Sequence, residues 1–246
     1  MFNRSRLSKR RSKINTLTIS RIINKIFNIK QKISFSQSGE DIIIKFLIDT
    51  LKKEKVRYFD IGTNHPVNLN NTYLLYLMGF QGVCIEPDPQ YKNLIRKFRP
   101  RDIYLACGIT PGLSGRADYF LMDDHSLNTF SGSGAKDMVD LHHKKIIKTV
   151  KVPLLNINEL LKKYFDHKAF TILSVDVEGL DYDVVSSIDF NAYRPDIFCI
   201  ETLSYSTDLS GNKDSRFTRF MEAMDYKLYA DTYINSIFID KRHLAR

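Results

Sequence analysis

The chain has 246 residues, 43 % hydrophobic and 26 % charged, which suits one α/β domain with its own core and excludes a disordered chain or a small disulfide-dependent scaffold. The net charge of +9 is local: residues 1–39 hold ten Lys or Arg and no acid, and with those ten set aside from the 37, 27 bases face 28 acids. A basic arm on a near-neutral body differs from a nucleic-acid enzyme, which more often carries basic patches on the body itself.

The arm comes first in chain order. Ile22, Ile23, Ile26 and Phe27 fall on one helical stripe, with Lys and Arg at other positions. Such a helix either packs on the domain or a subunit, or lies on an anionic membrane surface; nucleic-acid contact and a transit peptide are further readings. We place a basic extension at 1–34 and the main domain at 35–246. No apolar run of about 18 residues and no continuous apolar h-region appear, so neither a membrane span nor a secretory signal is expected. The expected location is the cytoplasm, with peripheral contact to the inner face of a membrane through the arm.

From residue 35 apolar strands alternate with helices. Strands are expected at 55–60, 82–86 and 102–107, with helices at 70–78 and 89–98 between them. An added strand at 116–122 precedes a polar, Gly/Ser-rich and then basic stretch, 123–148, expected to be a mobile substrate loop. A short strand at 150–155 and a helix at 158–165 lead to the clearest core strand, Phe170-Thr-Ile-Leu-Ser-Val-Asp176. A helix at 181–188, a strand at 196–201 and a helix at 215–224 follow. Two closing strands, 226–230 and 236–239, are near enough to pair as a hairpin. The repeated strand–helix–strand units imply a mostly parallel sheet covered on both faces. Cys84, Cys107 and Cys199 sit in or beside these apolar runs, lack C-x-x-C spacing, and read as buried thiols of a reducing compartment.

In such sheets ligands bind beyond the carboxyl ends of the strands, where strand order reverses. Acids recur at those ends: Asp60, Glu86, Asp176 and Glu201. Gly62, two residues after Asp60, lets the backbone approach a ligand. A carboxylate at Glu86 can accept hydrogen bonds from two ribose hydroxyls. A dinucleotide enzyme needs G-x-G-x-x-G here, but Gly62-Thr-Asn-His-Pro-Val67 has no further glycine, and a P-loop is absent. The expected ligand is therefore a nucleoside without a diphosphate. S-adenosylmethionine (SAM), with its sulfonium, amino-acid tail, ribose and adenine, suits acidic strand ends.

Four blocks in order carry a resemblance: Ser36-Gln-Ser-Gly-Glu-Asp41; Tyr58-Phe-Asp-Ile-Gly-Thr-Asn64 with Asn71-Thr-Tyr73; Gly82-Val-Cys-Ile-Glu86 with Pro87 and Asp88; and Ser174-Val-Asp-Val-Glu-Gly-Leu-Asp-Tyr-Asp183. The chain resembles FkbM-type SAM-dependent methyltransferases. His65-Pro66 stands where many relatives carry Asp-Gly. The resemblance implies a Rossmann-like class I methyltransferase fold: a mostly parallel seven-stranded sheet with a C-terminal antiparallel hairpin and helices on both faces. It implies that Asp60 and Gly62 lie near the methionine part of SAM, that Glu86 binds the ribose, and that Asn64 and Pro87 belong to the same cofactor site. Ala106 and Cys107 would flank adenine, and Gln37 and Glu40 would close over the cofactor. The family typically methylates hydroxyls of sugars, polyketides and other small or glycan-linked acceptors.

A hydroxyl acceptor needs a base or a metal to lose its proton. Asp176 and Glu178 are the leading candidates, and His65 is a second. Asp176 with Glu201 could instead hold a divalent cation through oxygen ligands. Structural roles compete at each position: helix capping or a contact to the SAM amino group for Asp176 and Glu178, and loop structure for His65. Asp123-Asp-His125 reads as loop polarity, and His142-His143 lacks ligand spacing. A SAM-binding scaffold without catalysis and a nucleic-acid methyltransferase using the arm are the competing functions.

Overall fold

The computed structural model describes Lys25 and residues 32–177, 179–203 and 211–244. The expected arm helix and Glu178 lie outside the described residues. Internal contacts divide the chain into Met1–Ile33 and Ser34–Arg246, and the second unit holds every element below.

The main sheet contains β1 (Val56–Ile61), β2 (Gln81–Ile85), β3 (Ile103–Leu105), β7 (Phe170–Val175), β8 (Ile197–Glu201), β9 (Tyr226–Asp231) and β10 (Asn235–Asp240), in the order β3-β2-β1-β7-β8-β10-β9. All pairs are parallel except those made by β10, which runs against both β8 and β9. This is the sheet that the resemblance implies, mostly parallel and seven-stranded with the expected antiparallel hairpin at the end. Every residue of β7 is buried, as a central parallel strand covered on both sides must be.

Alternation along the strands sends side chains to two cores. On one face, Phe59, Ile61, Leu173, Val175, Phe198 and Phe238 meet α5 (Ile157–Tyr164), α6 (Asp181–Ser186) and α7 (Ser215–Ala223). On the other, Val56, Tyr58, Ile172, Cys199 and Ile237 meet α1 (Glu40–Thr50) and α2 (Tyr73–Leu77). Burying each large side chain stabilises the fold by roughly 1.5–3 kcal/mol. The start of α5 shows the local logic. Asn156 accepts hydrogen bonds from the Asn158 and Glu159 amides, while Ile157, Leu160 and Leu161 turn into the core. The short helix α3 (Lys92–Phe98) joins β2 to β3 and buries Ile95. All three cysteines are buried and free.

A second, three-stranded sheet has the order β4-β6-β5, from β4 (Gly108–Thr110), β5 (Gly115–Met122) and β6 (Ile146–Asn156). It corrects the expectation of a mobile loop over 123–148. That stretch holds a 3-10 turn (His125–Leu127), the helix α4 (Gly132–His142) and the first part of β6. Ser131 caps α4 by accepting from the Gly134 amide, and Ala135 and Met138 pack on Met122 and Leu127. Tertiary packing outweighs the low helix propensity of Gly132-Ser-Gly134.

Candidate active site

Strand order reverses between β1 and β7, so their carboxyl ends flank a crevice. A cleft of about 1250 Å³ opens there. Single small-ligand pockets occupy roughly 300–1,000 Å³, so this one has room for two ligands. Its walls come from the ends of β1, β2, β7 and β8, from the β5–α4 region, and from residues 212–217. The two strands meet tightly at its floor. The Asp176 amide donates to Ile61 O at 3.0 Å, and a Cβ on Gly62 would sit 1.7 Å from Asp176 O. Gly62, at φ 81°, is thus required by strand packing, a stronger demand than ligand approach.

Asp60 lines the cleft yet is only 3 % exposed. Its Oδ2 accepts from Arg99 Nη1 (2.9 Å), Asn70 Nδ2 (3.0 Å) and Thr72 Oγ1 (2.9 Å). Arg99 follows α3 and is itself buried. It also donates from Nε to Asp102 Oδ2, from Nη1 to Asn70 Oδ1 and from Nη2 to Thr72 Oγ1. Asn70 Oδ1 accepts from the Thr72 and Tyr73 amides, and its Nδ2 donates to Thr63 O. The loop 62–72 is therefore pinned at both ends to one buried ion pair.

Glu86 lies at the end of β2, where its carboxylate faces the cleft. Oε2 accepts from the Asn64 amide and Oε1 from the Asp88 amide, both at 2.7 Å. Each oxygen keeps a lone pair for a further donor. Burial pushes this carboxyl up to about 7, against the lowering effect of those two amides.

Asp176, just beyond β7, has company. Burial first, and then the charge of Asp181, raise its carboxyl to about 7, while a hydrogen bond with Glu201 opposes the rise. Asp181 is raised by burial too, and is held by the Val177 and Gly179 amides at 2.9 and 3.2 Å. Three carboxyls on neighbouring elements thus share one corner of the cleft, Asp181 buried and Asp176 and Glu201 half-buried. Among the described residues, no group of three or more His, Cys, Asp or Glu is arranged to hold a metal ion.

Residues 60–228 match the model of the methyltransferase FkbM domain. The chain belongs to the FkbM methyltransferase family. It is a SAM-dependent methyltransferase, and its strand order is that of the class I fold. No curated protein matches the sequence. Similar solved structures include a TehB-like SAM-dependent methyltransferase from Corynebacterium glutamicum, at 10 % identity over 92 % of this chain and 97 % of that one, with a TM-score of 0.39. Another is 1,6-didemethyltoxoflavin-N1-methyltransferase from Burkholderia thailandensis, solved with 1,6-didemethyltoxoflavin and S-adenosylhomocysteine, at 10 % identity, 90 % and 87 % coverage and a TM-score of 0.36.

The cleft of this FkbM domain fits SAM chemically. Its described lining includes eight acids, Asp60, Glu86, Asp123, Asp124, Asp176, Asp181, Glu201 and Asp214, against Lys144 and Arg216. That balance favours a sulfonium and an ammonium over a phosphate. Of the positions singled out in the sequence, Gln37, Asp60, Gly62, Asn64, His65, Glu86, Pro87, Cys107, Asp176 and Glu201 all line the cleft. Asp123, Asp124 and His125 line it as well, so that triplet belongs to the cleft wall.

Two sequence candidates stand elsewhere. Glu40 is fully buried, accepting from Ser38 N, Thr232 Oγ1 and Asn235 Nδ2; it ties α1 to the closing hairpin. Ala106 is exposed outside the cleft. His65 Nδ1 accepts from the Val67 and Asn68 amides, a loop-shaping role, and burial lowers its pKa. Sequence reasoning missed Arg99, Asn70 and Thr72. The sequence places the acceptor side in variable loops at 63–72, 110–148 and 203–214, and Asn212 and Asp214 do line the cleft; it does not disclose that Arg216 pairs with Asp214 and sets its guanidinium 4.4 Å from the Tyr182 ring centre. Asp88 and Asn128, joined at 2.8 Å, lock the β5 region to the end of β2. Among the described residues, no helix is long and apolar enough to cross a membrane.

Proposed function

We propose that this enzyme O-methylates a neutral hydroxyl on a glycan or other small-molecule acceptor, with Asp176 as general base. The supporting observation is a carboxyl lifted to about 7 at the β1/β7 crevice, where a base working near neutral pH is most effective. When bound, SAM supplies an electrophilic methyl group on sulfur. Gly62, Asn64 and the loop pinned by Asp60 hold its methionine end, and Glu86 accepts from the ribose hydroxyls. Cys107 and Pro87 border the adenine side. Asp176 would take the acceptor's hydroxyl proton, leaving that oxygen free to receive the methyl group that bound SAM would supply, with S-adenosylhomocysteine as the leaving group. Glu201, hydrogen-bonded to Asp176, orients the base. Alignment supplies much of the rate, and the half-buried corner strengthens it.

The charge of the lining supports a neutral acceptor. Asp60, Asp124 and Asp214 are paired with Arg99, Lys144 and Arg216; the lining still holds five further acids and no further Lys or Arg, which disfavours a polyphosphate chain and weighs against the nucleic-acid reading. The far wall, with Thr202, Asn212, Asp214 and Tyr182, offers hydrogen-bonding groups and an aromatic ring suited to a polyol. The same reading keeps residues 1–34 as a basic extension of a cytoplasmic catalytic domain over 35–246. Ten bases without an acid in 1–39 suit contact with an anionic membrane.

The test is conversion of SAM to S-adenosylhomocysteine with a panel of neutral and acidic glycans. Turnover on neutral members, retained in the presence of a chelator, supports the reading. Turnover confined to acidic members would refute the acceptor class, and loss on chelation would move Asp176 and Glu201 to a cation.

A further inference from the structure

The turn from α4 into β6 combines two features. Residues 141–148 read Leu-His-His-Lys-Lys-Ile-Ile-Lys, eight residues without an acid. Leu141 is 69 % exposed and Ile147 65 %, and Ile146 is open as well. Lys145 and Lys148 are exposed, and no ion pair engages either among the described residues. The turn itself is fixed. His143 adopts φ 54°, the Lys144 amide donates to Met138 O, and Lys145 and Asp123 exchange two hydrogen bonds through the Lys145 amide and carbonyl. Met138 and Lys144 line the cleft from the other side of this same turn.

We propose that this turn docks the enzyme on an anionic lipid surface. Leu141, Ile146 and Ile147 enter the headgroup boundary, and Lys145 and Lys148 meet lipid phosphates. Apolar insertion and lysine attraction are each weak alone and hold together when they act as a pair. The composition selects lipid over a protein partner: protein interfaces favour Tyr, Trp and Arg and are depleted in Lys, whereas this turn joins three Lys and three aliphatics to His142 and His143 and carries no Tyr, Trp or Arg. Because Lys144 belongs to both the turn and the cleft, docking holds the cleft beside the membrane. This surface belongs to Ser34–Arg246 and does not depend on the identity of the acceptor.

The experiment uses the full-length chain with its ten arm bases (Arg4 to Lys32) changed to Gln, so that the arm contributes no charge. Sedimentation with phosphatidylcholine vesicles, with and without phosphatidylglycerol, reads the turn. Salt-sensitive binding to the phosphatidylglycerol vesicles is expected. K145Q/K148Q in this background should weaken it about 30-fold, from roughly 1 kcal/mol per lysine. Leu141→Ser with Ile147→Ser should weaken it as well, with SAM affinity unchanged as a check on folding. No binding by the arm-neutralised chain, or turn variants that bind as tightly as that arm-neutralised parent, overturns the proposal. Binding to single-stranded RNA or an acidic protein in place of vesicles overturns it too.

Discussion

Arg99 Nη1 lies 2.9 Å from Asp60 Oδ2, and both side chains are closed off from water. Asp60 ends the strand on which the cofactor loop starts, and Arg99 also holds Asn70 and Thr72 where that loop ends. Removing one partner of a buried pair costs roughly 3–5 kcal/mol, because the other charge is left uncompensated. Arg99→Met strands both Asp60 and Asp102. It should lower stability by that amount and loosen the 62–72 loop, weakening SAM binding in the molecules that still fold. Urea denaturation with calorimetric SAM titration checks both effects. A wild-type midpoint with wild-type affinity would refute the tether.

Gly62 and Gly79 provide a matched pair. Both have positive φ, 81° and 100°, so alanine at either carries a backbone penalty of about 1 kcal/mol. At Gly79 an added Cβ meets nothing within 4 Å, whereas at Gly62 it meets Asp176 O at 1.7 Å. Gly79→Ala should fold, bind SAM and lose only that small penalty. Gly62→Ala must push β1 from β7 at the floor of the cleft, and should lose SAM binding and much of its thermal stability. Similar melting temperatures for the two variants would show that the contact is not a constraint.

The contrast between these residues explains what the sequence could disclose. Strand ends were legible because an apolar run closing on an acid is a local pattern, and Phe170 to Asp176 shows it plainly. Arg99 was not, since in Arg96-Lys-Phe-Arg-Pro-Arg101 it looks like any solvated base, and apart from Asp102 its partners lie 27 to 39 residues earlier. The helix α4 was hidden for a related reason: its glycines and serines spell a loop, and Met122 and Leu127 supply the packing that forms it. Glu40 was assigned to the cofactor from its place in a family-like block, but its partners Thr232 and Asn235 lie at the far end of the chain.

Glu86 makes stability depend on pH. Burial raises its carboxyl from 4.5 to about 7, so the folded chain binds that proton more tightly than the unfolded chain does. This contribution is complete below about pH 4.5 and is lost as pH rises through about 7. The loss is on the order of 3 kcal/mol. Glu86→Gln cannot ionise, so its stability should fall less between about pH 5 and pH 8. Its amide nitrogen would also face the Asn64 or Asp88 N–H, an opposed pair costing about 1–3 kcal/mol, and SAM affinity should drop. Urea midpoints at the two pH values read the first effect. An unchanged slope would place the titration elsewhere.

As the proposed base, Asp176 would tie the rate to pH through the same kind of shift, with the opposite consequence. A general base acts only when ionised, so turnover should climb as pH rises through about 7, the value set by burial and Asp181. Asp176→Asn removes the acceptor for the proton and should cut kcat by about 10²–10⁴ while SAM affinity stays near wild type. The remaining activity should lose its rise around neutral pH. Glu201→Gln keeps a donor to ionised Asp176 but loses the proton that the two carboxyls can exchange, so the rise should persist at a displaced pH with a smaller loss of rate. Turnover against pH for all three proteins, at saturating SAM, separates base from scaffold. An Asp176→Asn enzyme with a full-height neutral-pH rise would remove Asp176 from the proton transfer.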